Sequence, residues 1–299
     1  MFLLINYLLR VWRERRARAT SSPSAGRSGG SETRSSAASW GPLALLAHQV
    51  RYDLLTSLRS PRARFFTFFF PLVLLIVFNG VFGKGTTTLD GVEVPLSRFY
   101  LTGILAVSIV VATYANLVIS ISTLRETGVL KRRRSAPVPA ALLIAGQALS
   151  TLVTVAIMTT LLLVIGKVLY GVGIAAPAIA AIVCVTIVGA LTFASIGYAV
   201  SGLIGSPEAA QPIVQATMMP LWFISGVFIP TAKISGALHT VGTLFPVEHL
   251  AYGLQVASVH ASFAGAISTT DLLVLLAWGV AAAGFAAWRY SWMPSTATA

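Results

Sequence analysis

Charge is scarce in this chain of 299 residues: only 10% are Asp, Glu, Lys or Arg, while 56% are hydrophobic. A soluble domain carries about 25% charged residues, so the apolar excess here reads as surface meant for lipid rather than water. Cysteine is nearly absent. Cys184 stands alone inside an apolar run, which excludes an intrachain disulfide framework and a cysteine-based metal cluster and leaves it as a small packing residue. Acids are fewer than bases, nine against 21, for a net charge of +12. The bases lie between apolar runs, sorted by membrane side, so no nucleic-acid partner is expected.

Chemical motifs are missing as well. The phosphate-cradling pattern GxxxxGK[ST] is not met by VFGKGTTT, because Phe78 stands five residues before Gly83 and Gly85 follows Lys84. HExxH is absent, and the adjacent Glu248 and His249 have no further ligand at helical spacing. No catalytic residue, metal site or cofactor is therefore expected in this chain. The apolar runs also hold no acid or base at mid-depth, where an ion-coupled carrier keeps a group whose charge can change. Any energy for transport must be supplied from elsewhere.

What is present is length. Six apolar runs, Phe65–Phe82, Phe99–Leu124, Ala140–Ile165, Ala178–Ile204, Ile213–Pro230 and Asp271–Tyr290, each reach about 18 residues, enough to cross a hydrocarbon core as helices. Backbone groups in hydrocarbon must be satisfied within each segment, so the expected fold is an all-α integral membrane bundle of six spans. With the N-terminus inside, seventeen of the 21 bases fall on the cytoplasmic face and only Lys84, Arg98, Lys167 and Lys233 outside. Both termini are accordingly expected in the cytoplasm of a multi-pass cell-membrane protein. Residues 1–40 read as an extension, largely a Ser/Gly-rich tether expected to be disordered. Residues 41–64 read as an interfacial amphipathic connecting helix, with Leu43, Leu46, Val50, Leu54 and Leu58 at three- and four-residue steps. Residues 65–292 form the six-span domain and 293–299 a tail. Between the fifth and sixth runs, residues 231–269 hold two stretches split by Pro246, each too short to cross, and are expected to dip into the outer leaflet and return.

Neutral groups inside the runs are the candidates for a substrate pathway. Asn79, Thr113 and Asn116 lie in the first two, and Met218, Met219 and Phe223 in the fifth. Such residues pack and hydrogen-bond between helices, and Met and aromatic side chains also accept varied apolar shapes.

The stretch RETGVLKRRRSAPVP, residues 125–139, sets one acid and five bases between the second and third runs. With the Pro-Val at Pro137 and Val138, it resembles the segment after the second span of ABC-2 type permeases. ISGVFIP at 224–230 and LFPVEHLAYGL at 244–254 resemble the same family's fifth-span ending and its helix before the sixth span. Gln255 stands where that family often has Arg. The resemblance covers about residues 43–292 and is greatest to daunorubicin-type drug-resistance permeases. It implies a coupling helix for a separate ATP-binding subunit at Arg125, Glu126, Thr127, Gly128, Leu130, Lys131 and Arg132. Arg133 and Arg134, nearer the membrane, suit anionic lipid. It also implies an outer gate and re-entrant region around Val227, Phe228, Phe245 and Pro246. The implied device is an exporter of an amphiphilic drug, antibiotic or lipid. Its partners are two ATP-binding subunits carrying ATP and Mg, a second permease copy or paralogue, and membrane lipid. A polysaccharide or cell-wall glycolipid exporter, and a membrane regulator or scaffold, are the alternatives.

Overall fold

The computed structural model describes residues 50–51, 65–126 and 140–289. The expected extension over 1–40, most of the 41–64 helix, the run Thr127–Arg134 and the tail 293–299 lie outside them; Val50 and Arg51 are helical. The described chain is a helical bundle. A wide π-turn, Phe65–Phe69, leads into α1 (Phe70–Phe82). Pro71 follows the π-turn within one continuous helical run, Phe69 being already αR, so the wide turn is where the chain accommodates the N–H that proline lacks.

A hairpin follows, β1 (Thr86–Leu89) and β2 (Val92–Pro95), paired antiparallel with Leu89 opposite Val92. The six-run reading has no strand here, although Asp90-Gly91 is a strong two-residue turn signal. Both residues adopt positive φ, 47° and 75°, as a type I′ turn requires. Leu89 and Val94 are buried, so one face of the hairpin seals against the bundle.

The centre is occupied by α2 (Leu96–Val110), a second π-turn (Val111–Ala115) and α3 (Asn116–Glu126). Every residue from Phe99 to Val110 is buried, the signature of a helix enclosed on all sides. Around it stand α4 (Ala140–Tyr170), α5 (Ala176–Ser201) and α6 (Pro207–Ile224). Two shorter helices, α7 (Gly236–Gly242) and α8 (Pro246–Val259), precede α9 (Thr269–Arg289). Among the described residues four helical stretches are long and apolar enough to cross a membrane: Leu96–Leu124, Gly146–Tyr170, Ala176–Ser201 and Thr269–Trp288. The apolar helix Thr67–Phe82 is shorter. The fifth run is shifted: α6 begins at Pro207 and ends at Ile224, because the chain turns at Ser225–Gly226, where Gly226 has φ +65°.

Arg98 joins three segments at one end of the bundle, donating to the carbonyls of Gly173 (2.8 Å) and Ser258 (3.2 Å). The hairpin, the α4–α5 loop and the α8 C-terminus therefore share that end. At Gly103 on α2 an added Cβ would stand 2.2 Å from the Val227 carbonyl oxygen, so only glycine admits the turn after α6 this close.

Candidate functional site

Polar and aromatic side chains gather at two places in this apolar bundle. The first follows α6. Gln211, Gln215, Met219 and Phe223 recur at steps of four and are all exposed, forming one stripe along the helix. The opposite face, Ala210, Val214 and Met218, is buried. Exposed positions on α9 are by contrast Leu273, Leu276, Val280 and Trp288, side chains at home in lipid. Amides find no partners in hydrocarbon, so the α6 stripe fits a surrounding other than lipid tails. Thr217, on the same helix, shares a 3.0 Å hydrogen bond with the Tyr114 hydroxyl and so fixes α6 against the second π-turn.

At its Phe223 end the stripe meets an aromatic cluster. The Phe223 ring lies 5.8 Å from Phe228, and Phe228 stacks on Phe78 at 4.8 Å and 17°. Trp222 meets Phe228 edge-on at 6.4 Å, and Tyr100 lies 5.4 Å from Phe78. Asn79 Oδ1, Trp222 Nε1 and Ser225 Oγ are buried without a hydrogen-bond partner, and each belongs to a residue within three positions of a ring in this cluster.

The second place is α8. Its Glu248 Oε1 lies 3.1 Å from His239 Nε2 on α7. His249 Nδ1 lies 2.5 Å from Asp271 Oδ1 on α9, and Ser268 donates to the other oxygen of the same carboxylate. His260, capping the C-terminus of α8, sits 2.8 Å from Asp90 at the hairpin tip, where the Tyr252 hydroxyl also donates (3.3 Å). Burial pushes the Glu248 carboxyl up, against the pull of His239 and His249. The hydrogen bond to Asp271 pushes the His249 imidazole up, against burial. Gln255 is buried and donates to the Gly226 carbonyl (3.0 Å), tying α8 to the turn after α6.

Helices long enough to span, buried polar links between them and a short packed helix before the last one are together the frame of a multi-pass membrane protein. The family model described as ABC-2 type transporter matches residues 46–258 of this frame. The chain belongs to the ABC-2 type transporter family. No curated protein matches the sequence. As an ABC transporter permease, it belongs to a family that generally works with an ATP-binding subunit.

Not all the residues singled out in this permease's sequence come together. Arg125 and Glu126 are the last residues of α3, whereas Thr127, Gly128, Leu130, Lys131 and Arg132 lie outside the described residues. Met219 and Phe223 share the α6 stripe; Met218 faces the core. Asn79 donates to the Leu75 carbonyl (3.0 Å) within α1. Thr113 is fully buried and donates to the Ile109 carbonyl (2.6 Å). Asn116 reaches Thr67 on the first π-turn at 3.2 Å. Asn79 and Thr113 thus bond back along their own helix, and Asn116 ties two segments together. Val227 is fully buried, Phe228 belongs to the aromatic cluster, and Phe245 and Pro246 form the N-terminal corner of α8. Gln211 and Gln215 escaped the sequence reading because they precede the apolar run it drew, or sit at its edge. Their four-residue spacing to Met219 and Phe223 was the available signal.

Proposed function

We propose that this chain is the membrane subunit of an ATP-driven exporter of the drug-resistance type, moving an amphiphilic drug, antibiotic or lipid out of the cell. The observation that carries this reading is the α6 stripe, with amides at one end, an aromatic ring at the other and a pliable methionine between. A molecule with a polar head and an apolar body matches that order. In this reading the chain crosses the membrane six times, with α1 and α6 as the shorter crossings and both termini cytoplasmic. The segment from α7 to α8 returns within the outer leaflet. A second permease, copy or paralogue, faces the stripe across a shared cavity. Two ATP-binding subunits bind the ATP and Mg that this chain has no motif to hold, and push on residues 125–132. In this reading Arg125 and Glu126, the last residues of α3, pass that push along the α2–α3 helix toward the core.

The test is substrate-stimulated ATP hydrolysis by the assembled complex in lipid. Gln211→Leu with Gln215→Leu should weaken the apparent affinity for an amphiphilic substrate about tenfold, in line with two lost hydrogen bonds. Charge reversal at Arg125 and Glu126 should abolish the stimulation. If neither change alters stimulation, the chain is a regulator or scaffold instead. The aromatic cluster favours one second reading, a polysaccharide or wall-glycolipid exporter, since sugar faces stack on such rings. In that case Phe228→Ala should outweigh the glutamine changes.

A further inference from the structure

Every histidine among the described residues sits on or beside α8, and every one lies within 3.1 Å of a carboxylate on a different chain segment. His239–Glu248 joins α7 to α8, His249–Asp271 joins α8 to α9, and His260–Asp90 joins α8 to the hairpin. Three fastenings of one chemical kind thus hold one short helix to three neighbours.

The geometry favours a charged ring. His249 presents Nδ1 to the Asp271 carboxyl group and Nε2 to the Thr243 carbonyl at 2.9 Å. With Asp271 ionised both partners are acceptors, and an imidazolium with hydrogen on both ring nitrogens satisfies them. Glu248 Oε2 is buried with no partner. It lies 2.5 Å from the point where a Cβ on Gly242 would stand, and so does the carbonyl oxygen of Ile224, the last residue of α6. A buried carboxylate oxygen without a partner is disfavoured when ionised and eased by a proton. The titratable groups facing Glu248 are His239 from α7, Asp271 from α9 and its own neighbour His249. His260 faces Asp90, with Tyr252 on the same carboxylate. Arg98 is the fixed cation at this end, on the Ser258 carbonyl.

We propose that α8 is a proton-operated clasp: the protonated His249–Asp271 pair and a protonated Glu248 hold α8 against α9 and α7 at the hairpin end of the permease, and loss of those protons loosens α8 there. That this end faces the outside rests on the orientation given above; the clasp itself does not. The direction follows from the two raised groups. Glu248 and His249 hold protons more tightly in the packed arrangement than in water, so packing is favoured as pH falls. The His249 contribution is complete below the ordinary histidine value of about 6.5 and is lost as pH rises through its higher packed value. Glu248 acts in the same sense from the ordinary carboxylate value of about 4.3 upward. Export should therefore slow in acid surroundings and quicken in alkaline ones.

The experiment places spin labels at the exposed positions Thr88 and Leu238, through cysteines in a Cys184→Ser background, on the full-length chain in lipid nanodiscs. Distances are measured between about pH 5.5 and pH 8.5, the range in which histidine titrates. The expected result is a narrow distribution in acid that broadens and lengthens as pH rises. The variant Glu248→Gln, His249→Gln should flatten the profile. His249→Gln alone, which retains Glu248, keeps the fold testable and should move the midpoint toward acid. An unchanged distribution in the parent chain, or a combined variant that keeps the parent's pH response, overturns the clasp. Neither readout needs ATP or substrate, so a failed export assay leaves it standing. Imposing pH on one side of sealed vesicles separates the rest: a response only from the side bearing the termini supports the clasp and overturns the orientation.

Discussion

The second and last membrane helices are written in the same apolar alphabet and end in opposite surroundings: 72% of the most apolar window of Leu96–Leu124 is buried, against 11% for Thr269–Trp288. Lipid tails are as apolar as leucine, so hydrophobicity alone does not draw a helix to the centre of such a bundle. Close approach does. The central helix has Gly103 under the Val227 carbonyl, and its Thr102, Ser108 and Thr113 hydroxyls are returned to its own backbone, which makes them compatible with dry neighbours. The last helix offers leucines, valine and tryptophan outward; within its length the Thr192 hydroxyl donates to the Leu275 carbonyl at 2.9 Å, and at its start Asp271 meets His249.

That contrast can be broken by substitution. Gly103→Ala puts a methyl group 2.2 Å from a backbone oxygen and should cost about 3 kcal/mol or more, read as a loss of folded permease in a detergent-unfolding titration. Leu105→Ala, at a fully buried position, should cost about 2–4 kcal/mol in the same titration. Thr192→Val should cost about 0.6 kcal/mol, the usual worth of a hydrogen bond between membrane helices. Val280→Ala, on the open face of α9, should stay within about 0.5 kcal/mol of the parent. A Val280→Ala cost equal to that of Leu105→Ala would mean that another chain covers the last helix, and the contrast would vanish in the assembly.

The same contrast marks how far the sequence could be read. Four of the six long apolar runs are legible as helices of crossing length, because chain length against bilayer thickness is a one-dimensional test, and the family-like motifs are legible in their order. Which run sits at the centre was not, because core and lipid ask for the same side chains. The hairpin has no counterpart in the apolar-run reading although Asp90-Gly91 announces it, since the sixteen residues between Phe82 and Phe99 are judged there only as too polar to cross. Asn79, Thr113 and Asn116 look like a polar wall in a linear reading, yet helix geometry returns most of their hydrogen bonds to nearby backbone or, for Asn116, to Thr67. Glu248 and His249 have no further ligand at helical spacing, and adjacent residues on a helix diverge. They do diverge, and each meets a partner on another segment, His239 and Asp271, that no spacing rule connects.

Arg98 adds a matter of timing. Its two acceptors lie 75 and 160 residues further along the chain, and chains are made from the N-terminus. The helix that forms the centre of the bundle is thus among the first made, yet its guanidinium must wait in water until Gly173 and then Ser258 have been synthesised and brought to the same end. The second Arg98 tie is fastened only after more than four-fifths of the permease exists, and the His260–Asp90 contact at the same end follows two residues later.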